Sequence, residues 1–432
     1  MSKGTKSYGT RRYGLRMALS ALFMAAVAQW ASAATWCVNP GGSGGCQSTI
    51  GGAVAKAAPG DTIQVAAGVY HEEVIVGESL SLVGANQSNT IIDATSLSNG
   101  IYIDGIDNPG LANVSVMGFT VRNANFEGIL VANSSTVTIA SNNVFNNNKS
   151  LDAVNAVCPG EQDFETAEGF DCGEGIHLTG VDHSTVANNI IQNNAGGILL
   201  SDDTGATHHN LITGNVTTNN PFDCGITLAS HPPAALTGAK APLGVFHNTI
   251  AANQSSNNGT AVHGAGAGVG LFAFLPGGTV SGNIVIANRL TGNGLPGVTF
   301  HAHSPGEDFN SNVVVGNHIS GNGADTDDAA TPGTTGINVF GVSPISGTII
   351  SQNVIQGETN DIVVNTPTSV DIHFNDLRDG TGIANIGSGT ANATENWWGC
   401  SGGPGASGCG NVSGSGVAWT PWLSGPFLPR RF

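Results

Sequence analysis

Residues 175–212 read GIHLTGVDHSTVANNIIQNNAGGILLSDDTGATHHNLI, and their two halves share one pattern. Gly175-Ile176-His177-Leu178 leads to Asn189-Ile190-Ile191, and Gly197-Ile198-Leu199-Leu200 leads to Asn210-Leu211-Ile212. Each half is a Gly with an apolar-x-apolar strand, a polar turn, then an Asn with a second apolar pair. Runs this short, rich in Val, Ile and Thr and punctuated by Gly and Asn, are strands joined by sharp corners. The pattern extends in both directions through Asn143, Asn189, Asn210, Asn248, Asn283, Asn312, Asn353, Asn375 and Asn396, and its shortest steps are 21, 22 and 21 residues. A period near 20 residues marks a solenoid. Coils stacked about 4.8 Å apart bury a continuous apolar column and let aligned asparagines hydrogen-bond along the stack.

The expected fold is therefore all-β, a single-stranded right-handed parallel β-helix. Over residues 60–398 the chain resembles the right-handed parallel β-helix superfamily with the pectate-lyase-like fold. It is most similar to secreted proteins carrying the short repeats of NosD-type accessory proteins. That superfamily includes lyases, hydrolases, epimerases and adhesins, so the resemblance implies fold more than chemistry.

Residues 1–33 are expected to be a signal peptide, with Lys3, Lys6, Arg11, Arg12 and Arg16 before an apolar run from Met17 to Val27 and Ala31-Ser32-Ala33. Arg11-Arg12 also suits twin-arginine export. The protein is expected to be exported, periplasmic, cell-surface or extracellular, without a membrane span and as a monomer. Of 13 Lys and Arg, five lie in this segment, so 8 remain against 30 Asp and Glu, a net charge of −22. Such a surface disfavours nucleic acid, anionic membranes and polyuronates. It points to a neutral extracellular glycan or a cation, with Ca²⁺ or another divalent metal as the candidate cofactor.

Seven cysteines in an oxidising compartment indicate disulfides. Cys37 with Cys46 and Cys400 with Cys409 form local pairs, and one of Cys158, Cys172 and Cys224 is left over. Residues 34–60 are expected to cap the amino-terminal end with a helix from Ser48 or Thr49 to about Ala58. Residues 61–398 form the β-helix, and the Trp-rich residues 399–432 cap its other end.

Where the repeat lengthens, insertions fall at about 149–173, 231–245, 254–267, 303–308 and 323–335. Loops on a rigid scaffold are where binding residues gather, and these are expected to wall a groove. Strands opening at Gly175, Gly197, Gly225, Gly268, Gly297 and Gly336 floor it. With Ile176 and Leu178 inward, His177 and Thr179 point outward, alongside Ser201, Thr227, Thr299, His301 and Asn338. Beyond these strands lie Asp182-His183, Asp202-Asp203, Ser230-His231 and His301-Ala302-His303. Counting six from each opening Gly aligns Asp203, His231 and His303. Asp171, Glu174 and Asp223 precede their strands.

These acids and histidines suit three chemistries. Paired carboxylates can hydrolyse a glycoside. A His beside a carboxylate can abstract a proton next to a uronate, as a lyase or epimerase does. Asp203, His231 and His303 can also hold a divalent metal. Asp202-Asp203 resembles the adjacent acids of β-helical polygalacturonases without their other signatures. Gly169-Phe170-Asp171 resembles part of an alginate-epimerase motif, with Cys172-Gly173 where Pro-His is expected. The rivals to a carbohydrate-binding or carbohydrate-processing protein are a non-catalytic adhesin and a periplasmic metal-handling accessory. The latter lacks Met-rich or Cys-x-x-Cys copper motifs.

Overall fold

The computed structural model describes Met1 and residues 33–165, 172–231, 243–262, 264–326, 330–378 and 380–427. The expected leader, Met1 and Ala33 apart, and Asp171 lie outside the described residues. From Ala33 the chain forms one unit.

Short parallel strands, most of three to five residues, stack into sheets of 14, 12 and 11 strands, one strand of each sheet per coil over most of the length. The coil winds as a right-handed parallel β-helix. Register is strict along the 12-stranded sheet. Ile176, Ile198, Ile226, Val269, Val298, Ile337 and Ile362 align, as do Leu178, Leu200, Leu228, Leu271, Phe300, Val339 and Val364. All are buried, making two continuous apolar columns inside the coil. Removing such side chains from water is the main stabilising term.

Three ladders of buried side-chain amides run along the corners. One joins Asn142, Asn189, Asn215, Asn253, Asn288, Asn317, Asn353, Asn375 and Asn396. A second joins Asn147, Asn194, Asn220, Asn258, Asn293 and Asn322 and ends on Glu358. A third runs from Ser184 through Asn210, Asn248, Asn283 and Asn312. Each rung repeats one geometry. Asn253 Oδ1 accepts from the backbone N and Nδ2 of Asn215 at 2.9 and 3.0 Å, while Asn253 Nδ2 donates to Ile212 O at 2.9 Å and Asn288 Oδ1 at 3.0 Å.

These ladders correct the asparagine column expected from sequence. Asn210, Asn248, Asn283 and Asn312 occupy a different corner from Asn189 and Asn353, and Asn142 rather than Asn143 is the rung. The coil after Asn189 is therefore 26 residues, not 21, and the full series is 47, 26, 38, 35, 29, 36, 22 and 21. The physical reason is that an Asn followed by an apolar pair opens a strand at two corners of every coil.

At the amino-terminal end the helix Ile50–Val54 is shorter than expected. Thr49 caps it by accepting from Gly52 N at 3.1 Å, and Glu72 accepts from Ile50 N and Gly51 N at 2.8 and 2.9 Å. Ile50, Ala53 and Val54 pack into the core. At the other end the strands Asn411–Gly414 and Val417–Ala418 extend two sheets, and Trp398 is fully buried. Disulfides join Cys37–Cys46, Cys158–Cys172 and Cys400–Cys409. The buried Cys224 Sγ accepts from Ala267 N. No helix among the described residues is long and apolar enough to cross a membrane.

Asn142→Ala removes a rung and strands buried partners, each worth about 1–3 kcal/mol, whereas Asn143→Ala truncates a half-buried strand residue outside the ladder. Thermal unfolding should show a clear drop in Tm for Asn142→Ala and a much smaller one for Asn143→Ala; equal losses would contradict the ladder assignment.

Candidate functional site

The strands Ile129–Ala132, Ile176–Thr179, Ile198–Ser201 and Ile226–Ser230 lie side by side in the 12-stranded sheet. Strands of the other two sheets alternate between buried and more exposed residues. These four are buried on both faces. Residues of the insertion 150–165 pack beside them, through Cys158 on Phe126 and through Glu161 and Glu165 near Glu127, so the expected groove is covered there.

His177 Nε2 lies 2.8 Å from Ser201 Oγ, which donates to Asp203 Oδ2 at 2.5 Å. Asp203 Oδ1 is 3.4 Å from His231 Nδ1. Burial pushes the Asp203 carboxyl up, but the charges of His231 and His177 with the bonds from His231 and Ser201 overcome it and hold the group at about 2. Asp203 is ionised. Asp202 faces the backbone instead. It accepts from Ser230 Oγ at 2.9 Å and from His231 N and Gly244 N at 2.5 Å each, and so fixes the chain that presents His231. Burial raises Asp202 to about 6 despite those bonds.

A second set of acids adjoins this chain. Glu127 and Glu174 each precede a Gly-Ile strand opening on successive coils, and Glu161 and Glu165 come from the insertion that the Cys158–Cys172 bridge closes. Ligand atoms of Glu127, Glu174 and His177 lie within 4.8 Å of one another, as do those of Glu127, Glu161 and Glu165. A third grouping, Glu161 with Cys158 and Cys172, is spent on the disulfide. So many carboxylates cannot all be charged in a dry space. Burial pushes Glu127 up to about 7, although its Oε1 accepts from Gly173 N at 3.2 Å. Glu165 is raised well above its ordinary range by burial and then by the charges of Glu127, Glu161, Asp203 and Glu174, which ties both sets into one field.

Sequence reasoning missed Glu127, Glu161 and Glu165. For Glu127 a signal existed, since Glu127-Gly128-Ile129 repeats Glu174-Gly175-Ile176 one coil earlier. Asp223 accepts from Thr227 Oγ1 at 2.9 Å. It meets Glu174 across Gly196, where an added Cβ would lie 3.0 Å from Asp223 Oδ2 and 3.4 Å from Glu174 Oε1.

The remaining candidates form two further groups. His301 Nε2 contacts Asp325 Oδ2 at 2.5 Å, and its Nδ1 lies 3.2 Å from His303 Nε2. His303 also bonds Ala273 O at 3.0 Å and stacks on Phe274 with ring centroids 4.4 Å apart. Of the expected metal set, Asp203 lies beside His231, while His303 lies beside His301, and the intervening coil contributes Phe274 to the counted column. Asp325 was not foreseen. Asp182 bonds His183 Nδ1 at 2.6 Å at an exposed corner. A cavity of about 430 Å³ on another face is lined by Arg289, His318, Arg378 and Phe427 and by none of these candidates.

Residues 83–271 match the family described as the right handed beta helix region. No curated protein sequence matches the chain. Among solved structures, DFA-IIIase from Arthrobacter chlorophenolicus A6 in complex with GF2 aligns at 15% identity and a TM-score of 0.51, covering 87% of this chain and 90% of its own. The catalytic domain of a GH87 alpha-1,3-glucanase in complex with tetrasaccharides aligns at 14% identity and a TM-score of 0.50, covering 83% of this chain and 63% of its own. At such identities the likeness is one of fold. The family match over residues 83–271 and the stacked coils show that the chain has the right-handed parallel β-helix fold.

Proposed function

We propose that this is an exported protein that binds an extracellular polysaccharide and processes it at the Glu127, Glu174, His177, Asp203 and His231 cluster. The observation that carries the reading is the division of protons. Asp203 is held ionised at about 2, while Glu127, close to the same His177, is pushed up to about 7. Carboxyl groups driven apart in this way supply an acid and a base together. In hydrolysis Glu127 protonates the leaving oxygen and Asp203 acts as base or nucleophile. In epimerisation or elimination His177 or His231, polarised by Asp203, takes the proton. The GH87 alpha-1,3-glucanase domain described above carries tetrasaccharides on this fold, which supports a carbohydrate substrate. The three disulfides suit an oxidising compartment. Among the described residues, 150–165 lie against this cluster, packing through Cys158 on Phe126 and through Phe164 on Tyr102 at 6.4 Å, and a sugar would enter by displacing them.

One observation favours a second reading, in which the acids hold a hard divalent cation. Glu127 Oε2 and Glu165 Oε1 are buried without a hydrogen-bond partner among the described residues, and Glu161 converges with them. Oxygen-rich ligands of this kind suit Ca²⁺. The ion would pin the insertion to the sheet.

Incubated with neutral and uronate oligosaccharides, the mature protein should turn over at least one class. Asp203→Asn and Glu127→Gln should each lower that rate by about 10²–10⁴ with unchanged circular dichroism. Full activity in both variants would exclude this acid-base pair. Under the cation reading, Ca²⁺ raises Tm by mass action and Glu127→Gln abolishes the rise.

The same acids set a pH dependence. A carboxyl raised in the folded state stabilises fully below its unfolded value and loses that contribution as pH climbs through its folded one. Glu127, from 4.5 to about 7, and Asp202, from 3.8 to about 6, both act in this window. The contribution of Asp203 has the opposite sign and is lost only as pH falls toward about 2. In chelator, Tm should therefore be higher at pH about 5 than at pH about 8, and Glu127→Gln should narrow the gap. An identical pH profile in the variant would show that Glu127 is not held protonated.

A further inference from the structure

We propose that a second, separate site lies on an exposed corner of the coil, where His183, His208, His209 and His247 bind a first-row divalent cation of the Zn²⁺ or Cu²⁺ type through imidazole nitrogen. Asp182, His208 and Phe246 form one column of neighbouring coils through the Asp182–His208 bridge and the strand pairing of His208 with Phe246. His183, His209 and His247 form the column beside it, linked by backbone bonds from His183 N to His208 O and from His209 N to Phe246 O. Three consecutive coils therefore deliver four imidazoles to one surface strip.

One pair already stands at ligand spacing. His208 Nδ1 and His209 Nδ1 are 2.9 Å apart. Two nitrogens on one tetrahedral zinc, each bonded at about 2.0–2.1 Å, stand roughly 3.3 Å apart, so a small ring rotation admits the ion. His183 flanks this pair, its ring parallel to that of His209 at 5.2 Å, and His247 flanks it on the other side, also at 5.2 Å from His209. Either supplies a third donor by a side-chain rotation. Asp182 Oδ1 holds His183 Nδ1 at 2.6 Å and so leaves Nε2 to face a metal, the outer carboxylate that commonly orients a ligating imidazole. The next coil has glycine at 282, where a Cβ would come 2.4 Å from His247 Cδ2, so the missing side chain leaves that ring room over the corner.

The backbone does not demand histidine here. His183, His209 and His247 take left-handed φ of 48°, 55° and 54°, and at another corner Asn193, Asn219 and Asn257 take 56° with asparagine. Nor are these rings core residues, since His183, His209 and His247 are exposed. Four nitrogen donors of intermediate softness select Zn²⁺, Cu²⁺ or Ni²⁺ over Ca²⁺, which distinguishes the strip from the buried, oxygen-rich acids.

The same comparison that shows asparagine is tolerated at these corners also supplies the control. Metal-free mature protein is titrated calorimetrically with ZnCl₂, in parallel with the His208→Asn/His209→Asn, Asp182→Asn and Glu127→Gln variants, and Tm is recorded for each without metal. One equivalent of Zn²⁺ is expected, weakened at least about tenfold by Asp182→Asn and lost in the double variant, with Tm preserved and Glu127→Gln binding as the wild type does. Bound Cu²⁺ should show nitrogen hyperfine splitting in its electron paramagnetic resonance spectrum. Absence of one-equivalent binding, undiminished binding in the double variant, or loss of binding in Glu127→Gln would overturn the site.

Discussion

The structure rests on the buried asparagine amide. A coil corner turns backbone N–H and C=O groups toward the interior, where they would be costly to leave unpaired. A side chain with one acceptor and two donors solves this when it stacks on its own kind. Each Oδ1 takes the backbone N and the Nδ2 of the coil before, and each Nδ2 also reaches a backbone carbonyl. Because every rung needs a neighbour, the ladders hold the coils in register. Glu358 ends one ladder by offering both carboxylate oxygens to Asn322 N, which shows that the acceptor is the indispensable half.

With corners fixed, coil length is free to vary. Coils of 21 and 22 residues at the carboxy-terminal end carry almost nothing beyond strands and turns, whereas the 47-residue coil between Asn142 and Asn189 carries the disulfide-closed insertion. The extra chain brings Glu161 and Glu165 against the strand openings that carry Glu127 and Glu174. Residues that would be ordinary surface acids, Glu127 and Glu174, thereby become buried groups whose protonation is set by neighbours rather than by water. His209 and His247, at a corner of neighbouring coils, are exposed among the described residues.

Much of the fold was legible in residues 175–212, because alternation and Gly/Asn corners are local properties. Part of the site was legible too. Counting six residues from Gly197 and Gly225 aligned Asp203 with His231, which the structure holds 3.4 Å apart, since adjacent coils share register at that point. The same count carried to His303 crossed a coil that contributes Phe274, and it ended at a different partner, His301. Glu161, Glu165 and Asp325 were not legible, because they lie in insertions whose path over the sheet no repeat dictates.

The amino-acid sequence by itself determined the solenoid, its short strands, the local Cys37–Cys46 and Cys400–Cys409 pairs and the crowding of Asp and His near one strand column. Each of these depends on residues close along the chain or on a repeating period. Only the tertiary structure decided which corner each asparagine occupies, that Cys158 pairs with Cys172, and that histidines lower the Asp203 carboxyl while burial raises Glu127 and Glu165 beside it. Those properties depend on which coil lies above which and on what excludes water, and insertions of unequal length alter both without changing the local pattern.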